Sequence, residues 1–484
     1  VLTKGNPNWD GGFIVKFDYN GNPIWSTVVN GSCQPWGICA DSAGNTYITG
    51  EFNTPMAWFG NSVLYLSDGP FFIAKYDPNG NALWARSTVG PNNDGYGFSV
   101  SADHAGNVFV TGWYGSDTLD FGSVLLLNNG PTYSRDLFLC KYSASGNLMW
   151  ARSAGGTDDD FAYEVAADPN GNAYVTGYYK STSMSFGSIP ITNAGSLTED
   201  VFLAKYDANG NAVWAKSIGG SGDENANGLA TDKWGNVFLG GEFFDSLIDF
   251  GIHTIVNTNQ TSGDVFIVKY DSLGNDHWAH PGRGPGSDFL AALTVDTSGN
   301  VYATGELVSG TITFGTMQLS IPPNSPDPVY LIKLDSAGYP ICGTSLQSGG
   351  DDQNDISADR FGNVYMGGDY LADPFIIGND TLIYQQGEGI FMAKYNCNID
   401  AGIEELNGEE IFTLAPDPTD GAFTIYTTCK HGEIFIYNDL GEIVLTSTLD
   451  ASPFTIDLSN RSAGIYFVRM NDGTKTSVQK IIKK

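Results

Sequence analysis

Residues 71–87, FFIAKYDPNGNALWARS, and 97–114, GFSVSADHAGNVFVTGWY, decide how this chain is read. Each is a run of aromatic and β-branched residues, a Gly-Asn turn, and a second such run, so two β-hairpins follow one another. The first pattern recurs along the chain. Its lysine appears at Lys16, Lys75, Lys141, Lys205, Lys269, Lys333 and Lys394, at intervals of 59, 66, 64, 64, 64 and 61 residues. A period this regular means that one four-stranded unit is copied and that the copies bury their faces against each other. Gly-Asn turns recur in both hairpins, and the Asp before them (Asp41, Asp103, Asp168, Asp232, Asp296, Asp359) suits a bond to the turn backbone.

A Phe-Gly pair at Phe59, Phe121, Phe186, Phe250 and Phe314, with Ile377-Gly378 in the sixth copy, predicts an extra hairpin or long loop on one face of each unit. Aromatic, Gly-rich, four-stranded units of about 62 residues predict an all-β fold, a β-propeller. Helical periodicity is nowhere sustained, and a closed ring removes the sheet edges that a solenoid would expose. Seven lysine strands against six GNxYxTG strands fit seven blades if one hairpin lies upstream, the preferred count, or six if the N-terminal strands close the ring directly. The opening residues, VLTKGNPNWDGG, match the end of the loop before a lysine strand, so the chain is expected to be a truncated or processed fragment.

Four landmarks in register, ADxxGNxYxTG, FG, the apolar Lys-Tyr-Asp hexamer and GNxxW, resemble the bacterial beta-propeller repeats named for a seven-bladed ring. The resemblance runs from about Gly12 to Asn396. The sixth copy departs from it: Tyr339 replaces the turn Asn, and Cys342 takes the slot of Trp25, Trp84, Trp150, Trp214 and Trp278. No GNxxW strand follows Tyr395, so the last blade needs a strand from elsewhere.

The propeller is assigned to residues 1–398 and an acidic linker to 399–410. Residues 411–484 alternate apolar and polar positions in short strands, which predicts a small antiparallel β-sandwich. This segment is similar to the C-terminal sorting domain of the type IX secretion system of Bacteroidota. The marks are Pro416-Asp417-Pro418 with Gly421, the IYNDLGE turn containing Gly441, the segment ending in Gly464 and Tyr466, and the basic Lys480, Lys483 and Lys484. Asp417 stands where the family more often has Asn. The resemblance implies recognition by the type IX secretion machinery, export across the outer membrane of a Gram-negative bacterium, and display on the outer cell surface.

Composition agrees with an exported β protein. The net charge is −31, with 7 basic and 12 acidic residues from Ile403 onward, so the repeats carry most of it. Such a field disfavours nucleic acid and anionic membranes as partners. No apolar run is long enough for a transmembrane segment. The six cysteines show no zinc spacing; Cys33 with Cys39 and Cys342 with Cys397 are the two disulfides considered.

The lysines alternate with apolar residues on the third strand of each unit, so they are expected between blades, stems packed and ammonium groups paired to the repeated carboxylates. The tryptophans read as inter-blade packing. Acidic loops containing Asp158, Asp159, Asp160, Asp223, Asp351 and Asp352 offer oxygen ligands for calcium, against the plainer reading of solvated loops. No GxSxG or HExxH occurs. The preferred function is a secreted, surface-displayed, non-enzymatic binding or adhesion propeller for a surface glycan or protein ligand. The alternatives are a secreted polysaccharide-active enzyme, a glycan hydrolase or lyase, and a structural subunit of an extracellular assembly.

Overall fold

The computed structural model describes residues 11–90, 93–131, 134–195, 198–257, 262–308, 310–321, 328–346, 355–370, 375–377, 380–382, 389–395 and 412–484, the last range without 417, 428, 430–431, 439–442, 450–451 and 472–475. These residues form β-strands and one short 3-10 turn. No helix among them is long and apolar enough to cross a membrane. The chain divides into two compact units, Val1–Cys397 and Asn398–Lys484.

In the first unit, each repeat folds into an antiparallel sheet whose strands follow chain order. Blade 1 contains Cys33–Ala40, Thr46–Phe52, Phe71–Tyr76 and Ala82–Arg86. Blade 2 opens at Gly95–Ala102, blade 3 at Asp160–Ala167, blade 4 at Glu224–Thr231 and blade 5 at Ala292–Val295. Blade 6 shows Asp355–Ala358, Val364–Tyr370 and Gly389–Tyr395, and a two-stranded sheet of Phe13–Phe17 and Pro23–Val28 precedes blade 1. First strands of successive blades lie side by side from blade 1 to blade 6, as the inner strands of a propeller do.

A second-strand glycine, preceded by Thr in blades 1, 2, 3 and 5 and by Gly in blade 4, shapes the inner half of these blades. At Gly50, Gly112, Gly177 and Gly241 a Cβ would collide with a main-chain carbonyl of the first strand, and at Gly305 with that of Phe289, just ahead of the first strand of blade 5. In blades 1 to 4 the register shifts at this point, so a β-bulge re-aims the residues beyond it.

Blades are joined by a repeated latch at the opposite end of the third strand. Lys16 Nζ and Trp25 Nε1 both donate to the Pro78 carbonyl, at 3.1 and 2.9 Å. Lys75 with Trp84 share Ala144, Lys205 with Trp214 share Ser272, and Lys269 with Trp278 share Ser336. Each acceptor lies in the outer turn of the next blade. The lysine heads also sit over second-strand aromatics, Lys141 4.4 Å from the Phe109 ring centre. Lys141 pairs with the buried Asp103 at 3.2 Å, and Lys75 approaches Asp41 at 3.8 Å. The lysines are therefore inter-blade ties rather than a ligand ring.

Two expectations change. The Phe-Gly hairpins pack at the outer strands rather than on one face of the blade. Thr311–Phe314 pairs directly with the outer strand of blade 4 through Gly282 and Arg283. The reason is burial: Phe59, Phe186 and Phe314 are almost wholly enclosed. Cys33 and Cys39 are free thiols. They stand six residues apart on one extended strand, about 20 Å, beyond the reach of a disulfide. Cys342 is disulfide-bonded, and its proposed partner Cys397 lies outside the described residues.

The second unit is a sandwich of a three-stranded sheet (Phe412–Ala415, Ala422–Thr427, Phe454–Asp457) and a four-stranded sheet (Gly432–Tyr437, Ile443–Leu449, Gly464–Asn471, Thr476–Lys483). Alternate residues of both sheets, among them Phe423, Ile425, Ile434, Val468 and Ile481, fill one apolar core.

Candidate functional site

Beyond the bulge, the chain varies from blade to blade. The residue after the second-strand glycine is Glu51, Trp113, Tyr178, Glu242, Glu306 and Asp369 in blades 1 to 6. Its cross-strand partner on the inner strand is Gln34, Tyr96, Phe161 and Asn225 in blades 1 to 4. These positions gather at one mouth of the ring.

Blades 1 to 3 make that mouth aromatic. Trp36 stacks on Phe98 at 5.6 Å, and Tyr96 stacks on Trp113 at 4.2 Å. Trp113 meets Phe161 edge-on at 5.6 Å, and Phe98 meets Tyr163 edge-on at 5.5 Å. The rings therefore run continuously across three blades. Trp36 is 44% exposed, and Phe98 and Tyr163 at the same position of the next two blades are half-buried. Ion pairs edge the patch: Arg135 with Asp159 at 3.1 Å and Lys180 with Glu199 at 2.9 Å. The Arg135 guanidinium lies over both Trp113 and Phe161, which holds it in place by cation–π attraction.

Carboxyl groups complete the site. Glu164, on the inner strand of blade 3, accepts a hydrogen bond from Ser99 Oγ at 2.8 Å. Burial pushes its pKa up to about 8, and the charge of Asp355 on blade 6 adds to the rise. Burial raises the Asp355 carboxyl above its ordinary value. Burial also pushes Glu242 up to about 8, against stabilising bonds from the Leu290 amide and Asn225. Glu51 is raised by burial too, and is bonded to Trp36. Aromatic faces beside protonated and ionised carboxyls can stack the C–H face of a sugar and bond its hydroxyls.

The acidic loops singled out in the sequence do not converge. Asp158 Oδ1 accepts the Asp159 amide, Asp159 serves Arg135, and Asp160 is buried with Ser181 Oγ at 2.7 Å. Asp223 accepts the Glu199 amide at 3.0 Å. Asp351 and Asp352 lie outside the described residues. Among the described residues, no three His, Cys, Asp or Glu side chains form a metal cluster. The mouth residues escaped the sequence reading because they vary among the repeats, from Glu to Trp, Tyr and Asp. Aligning the copies on the second-strand glycine, which follows Thr in four blades and Gly in two, is the signal that exposes them.

In the second unit, Pro416 and Pro418 are exposed and Gly421, at φ 142°, packs tightly on Ser459. Gly441 lies outside the described residues. Gly464 opens its strand, and the buried Tyr466 donates its hydroxyl proton to the Ser462 carbonyl at 2.8 Å. The basic tail splits in role. Lys483 Nζ donates to the Arg461 carbonyl at 2.6 Å, whereas Lys480 and Lys484 are exposed.

Residues 413–484 match the profile of a secretion system C-terminal sorting domain, and residues 150–178 match a beta-propeller repeat. An uncharacterized WD repeat-containing protein of Acanthamoeba polyphaga mimivirus is 26% identical across 62% of this chain and 26% of its own length. Regulatory protein FlaEY of Caulobacter vibrioides is 34% identical across 29% of this chain and 14% of its own. The matched regions thus span about a quarter and a seventh of those relatives. Among solved structures, a protein of unknown function from Bacteroides caccae aligns at 10% identity, covering 71% of this chain and 92% of that one, with TM-score 0.35. PorZ, a surface component of the type IX secretion system of Porphyromonas gingivalis, aligns at 10% identity over 94% of this chain and 82% of its own, with TM-score 0.19.

Proposed function

We propose that this protein, a β-propeller exported by the type IX secretion system and delivered to the outer cell surface by its sorting domain, binds glycan there as an adhesion module. The continuous run of aromatic rings across blades 1 to 3, edged by ion pairs and facing carboxyls, carries this reading. Sugars offer alternating apolar faces and hydroxyls, and such a surface complements both. The sorting domain supplies the other half of the function, since a chain lacking residues 413–484 is expected to stay off the cell surface. Immunolabelling of intact cells measures that loss.

The direct test is a glycan array probed with the purified chain, followed by Trp113→Ala and Tyr163→Ala. Saturable binding to a glycan class that both substitutions weaken supports the proposal. Absence of binding to every glycan, or binding indifferent to both substitutions, overturns it.

One observation favours a second reading, a glycan-cleaving enzyme. Glu164 is held protonated near neutral pH opposite an ionisable Asp355, and such a pairing suits general-acid catalysis at a glycosidic oxygen. Incubating the same glycans with wild type and Glu164→Gln decides it: product formed only by wild type establishes turnover, and no product leaves binding alone.

A further inference from the structure

Consecutive blades can be compared at three equivalent positions: five residues before the strand lysine, eight before the turn Asp of the next blade, and five after the tryptophan. Between blades 2 and 3 these are Asp136, Asp160 and Gly155. Between blades 3 and 4 they are Asp200, Glu224 and Gly219. Between blades 4 and 5 they are Asp264, Asp288 and Arg283, and between blades 1 and 2 they are Pro70, Gly95 and Val89. All six acids are essentially without solvent exposure.

The third position tracks the charge of the other two. Where there is no acid pair, it is Val89. Where Asp264 and Asp288 meet, it supplies a guanidinium, with Arg283 Nε 3.9 Å from Asp264 Oδ2. At the two remaining junctions it is glycine, with no positive φ to require one. The space matters instead. A side chain on Gly155 would run into the Asp136 carboxylate, and one on Gly219 would meet both Asp200 and Glu224. The two carboxylates of the 3/4 junction therefore face one another over the Gly219 Cα.

Asp160 is satisfied by the Ser181 amide and hydroxyl and the Gly156 amide, whereas the other three carboxylates of the 2/3 and 3/4 junctions are only partly satisfied. Asp136 Oδ2 accepts from the Asn129 amide and side chain, and Asp200 Oδ2 accepts from the Ala194 amide and Ser217 Oγ. Glu224 Oε2 accepts from the Gly220 amide. Asp136 Oδ1, Asp200 Oδ1 and Glu224 Oε1 are buried with no hydrogen-bond partner. A buried pair of like charges without a counter-charge is costly. At the 4/5 junction a cation stands near the pair, at charge-pairing rather than hydrogen-bonding distance, since Arg283 Nε and both Asp264 carboxyl oxygens have no hydrogen-bond partner.

We propose that the 2/3 and 3/4 junctions each bind a divalent cation of the calcium type, between Asp136 and Asp160 and between Asp200 and Glu224, in the place that the Arg283 side chain fills at the 4/5 junction. Two carboxylates match a double positive charge. Calcium accepts an irregular shell completed by main-chain carbonyls and water, whereas magnesium demands a near-octahedral one. The cation would tie the third strand of one blade to the first strand of the next.

The test uses the full chain, stripped with chelator and titrated with calcium by calorimetry, with terbium luminescence as a second readout. Two sites per chain and a melting temperature raised by several degrees in calcium are expected. Glu224→Gln should remove one site. Arg283→Gly should add one, and Gly219→Arg should abolish the 3/4 site while lessening the stabilisation that calcium gives. No calcium or terbium uptake by wild type overturns the proposal. So does a stoichiometry unchanged in both Glu224→Gln and Arg283→Gly, or a melting temperature that ignores calcium and instead climbs as the pH falls, which would mean that each pair holds a proton.

Discussion

The two ends of a blade teach opposite lessons. At one end lies the latch, where a lysine and a tryptophan reach the same carbonyl of the next blade in copy after copy. At the other lies the mouth, where the equivalent position reads Glu, Trp, Tyr, Glu, Glu and Asp around the ring. The backbone is the same at both ends. Repetition in side chains marks what every blade needs to stay in the ring, and variation marks the surface on which the proposed glycan binding rests.

Truncating the latch should have the largest effect. Trp150→Ala removes a buried indole and its bond to the Ala208 carbonyl, and should cost about 3–5 kcal/mol in urea unfolding. Lys141→Met leaves Asp103 without its buried cation, for a loss of about 3 kcal/mol by the same measurement. If either variant proved neutral, the latch would not be scaffold.

The mouth should respond to pH before it responds to truncation. Glu242 has a folded pKa near 8, above its ordinary unfolded value, so the folded state binds the extra proton between about pH 4.5 and 8. Stability from this group is fully present below that window and is lost as the pH rises through 8. Glu242→Gln should flatten that loss, with a gain of about 1–3 kcal/mol at pH 8.5 and little change at pH 4.5, read from melting curves at fixed calcium. A variant less stable than wild type at pH 8.5 would contradict the assignment. The smallest effect on stability belongs to Trp36→Ala, under about 1.5 kcal/mol, since the ring is partly exposed and gives up mainly its stack on Phe98. Glycan affinity should nevertheless fall about tenfold, or about 1.4 kcal/mol, on the same array. A Trp36 variant as unstable as the Trp150 one would erase the distinction between the two ends.

Much of the scaffold was legible because it repeats. Gly-Asn turns, the lysine series and the tryptophans lie in register in the sequence, and each corresponds to a hairpin or a latch in the structure. The Phe-Gly hairpin was visible, but its place at the outer strands depends on where its phenylalanine finds a cavity, which spacing does not encode. The pairing of Cys33 with Cys39 failed because closeness in sequence becomes distance along an extended strand. Asp158, Asp159 and Asp160 looked like one ligand set, yet alternation along the chain sends neighbouring carboxylates to different partners. The mouth was hidden for the converse reason: its residues come from several blades and share no local motif.

The direction of the latch also sets an order in time. Where a lysine and a tryptophan share a carbonyl they precede it by 53 to 69 residues, and Lys141 precedes its own acceptor, the Gly171 carbonyl, by 30, always in the same sense along the chain. During synthesis, a blade that has just emerged holds out a lysine and a tryptophan for a partner not yet made, for roughly 3 to 14 seconds at ordinary bacterial elongation rates. In the finished ring, each blade seals the one before it in the chain.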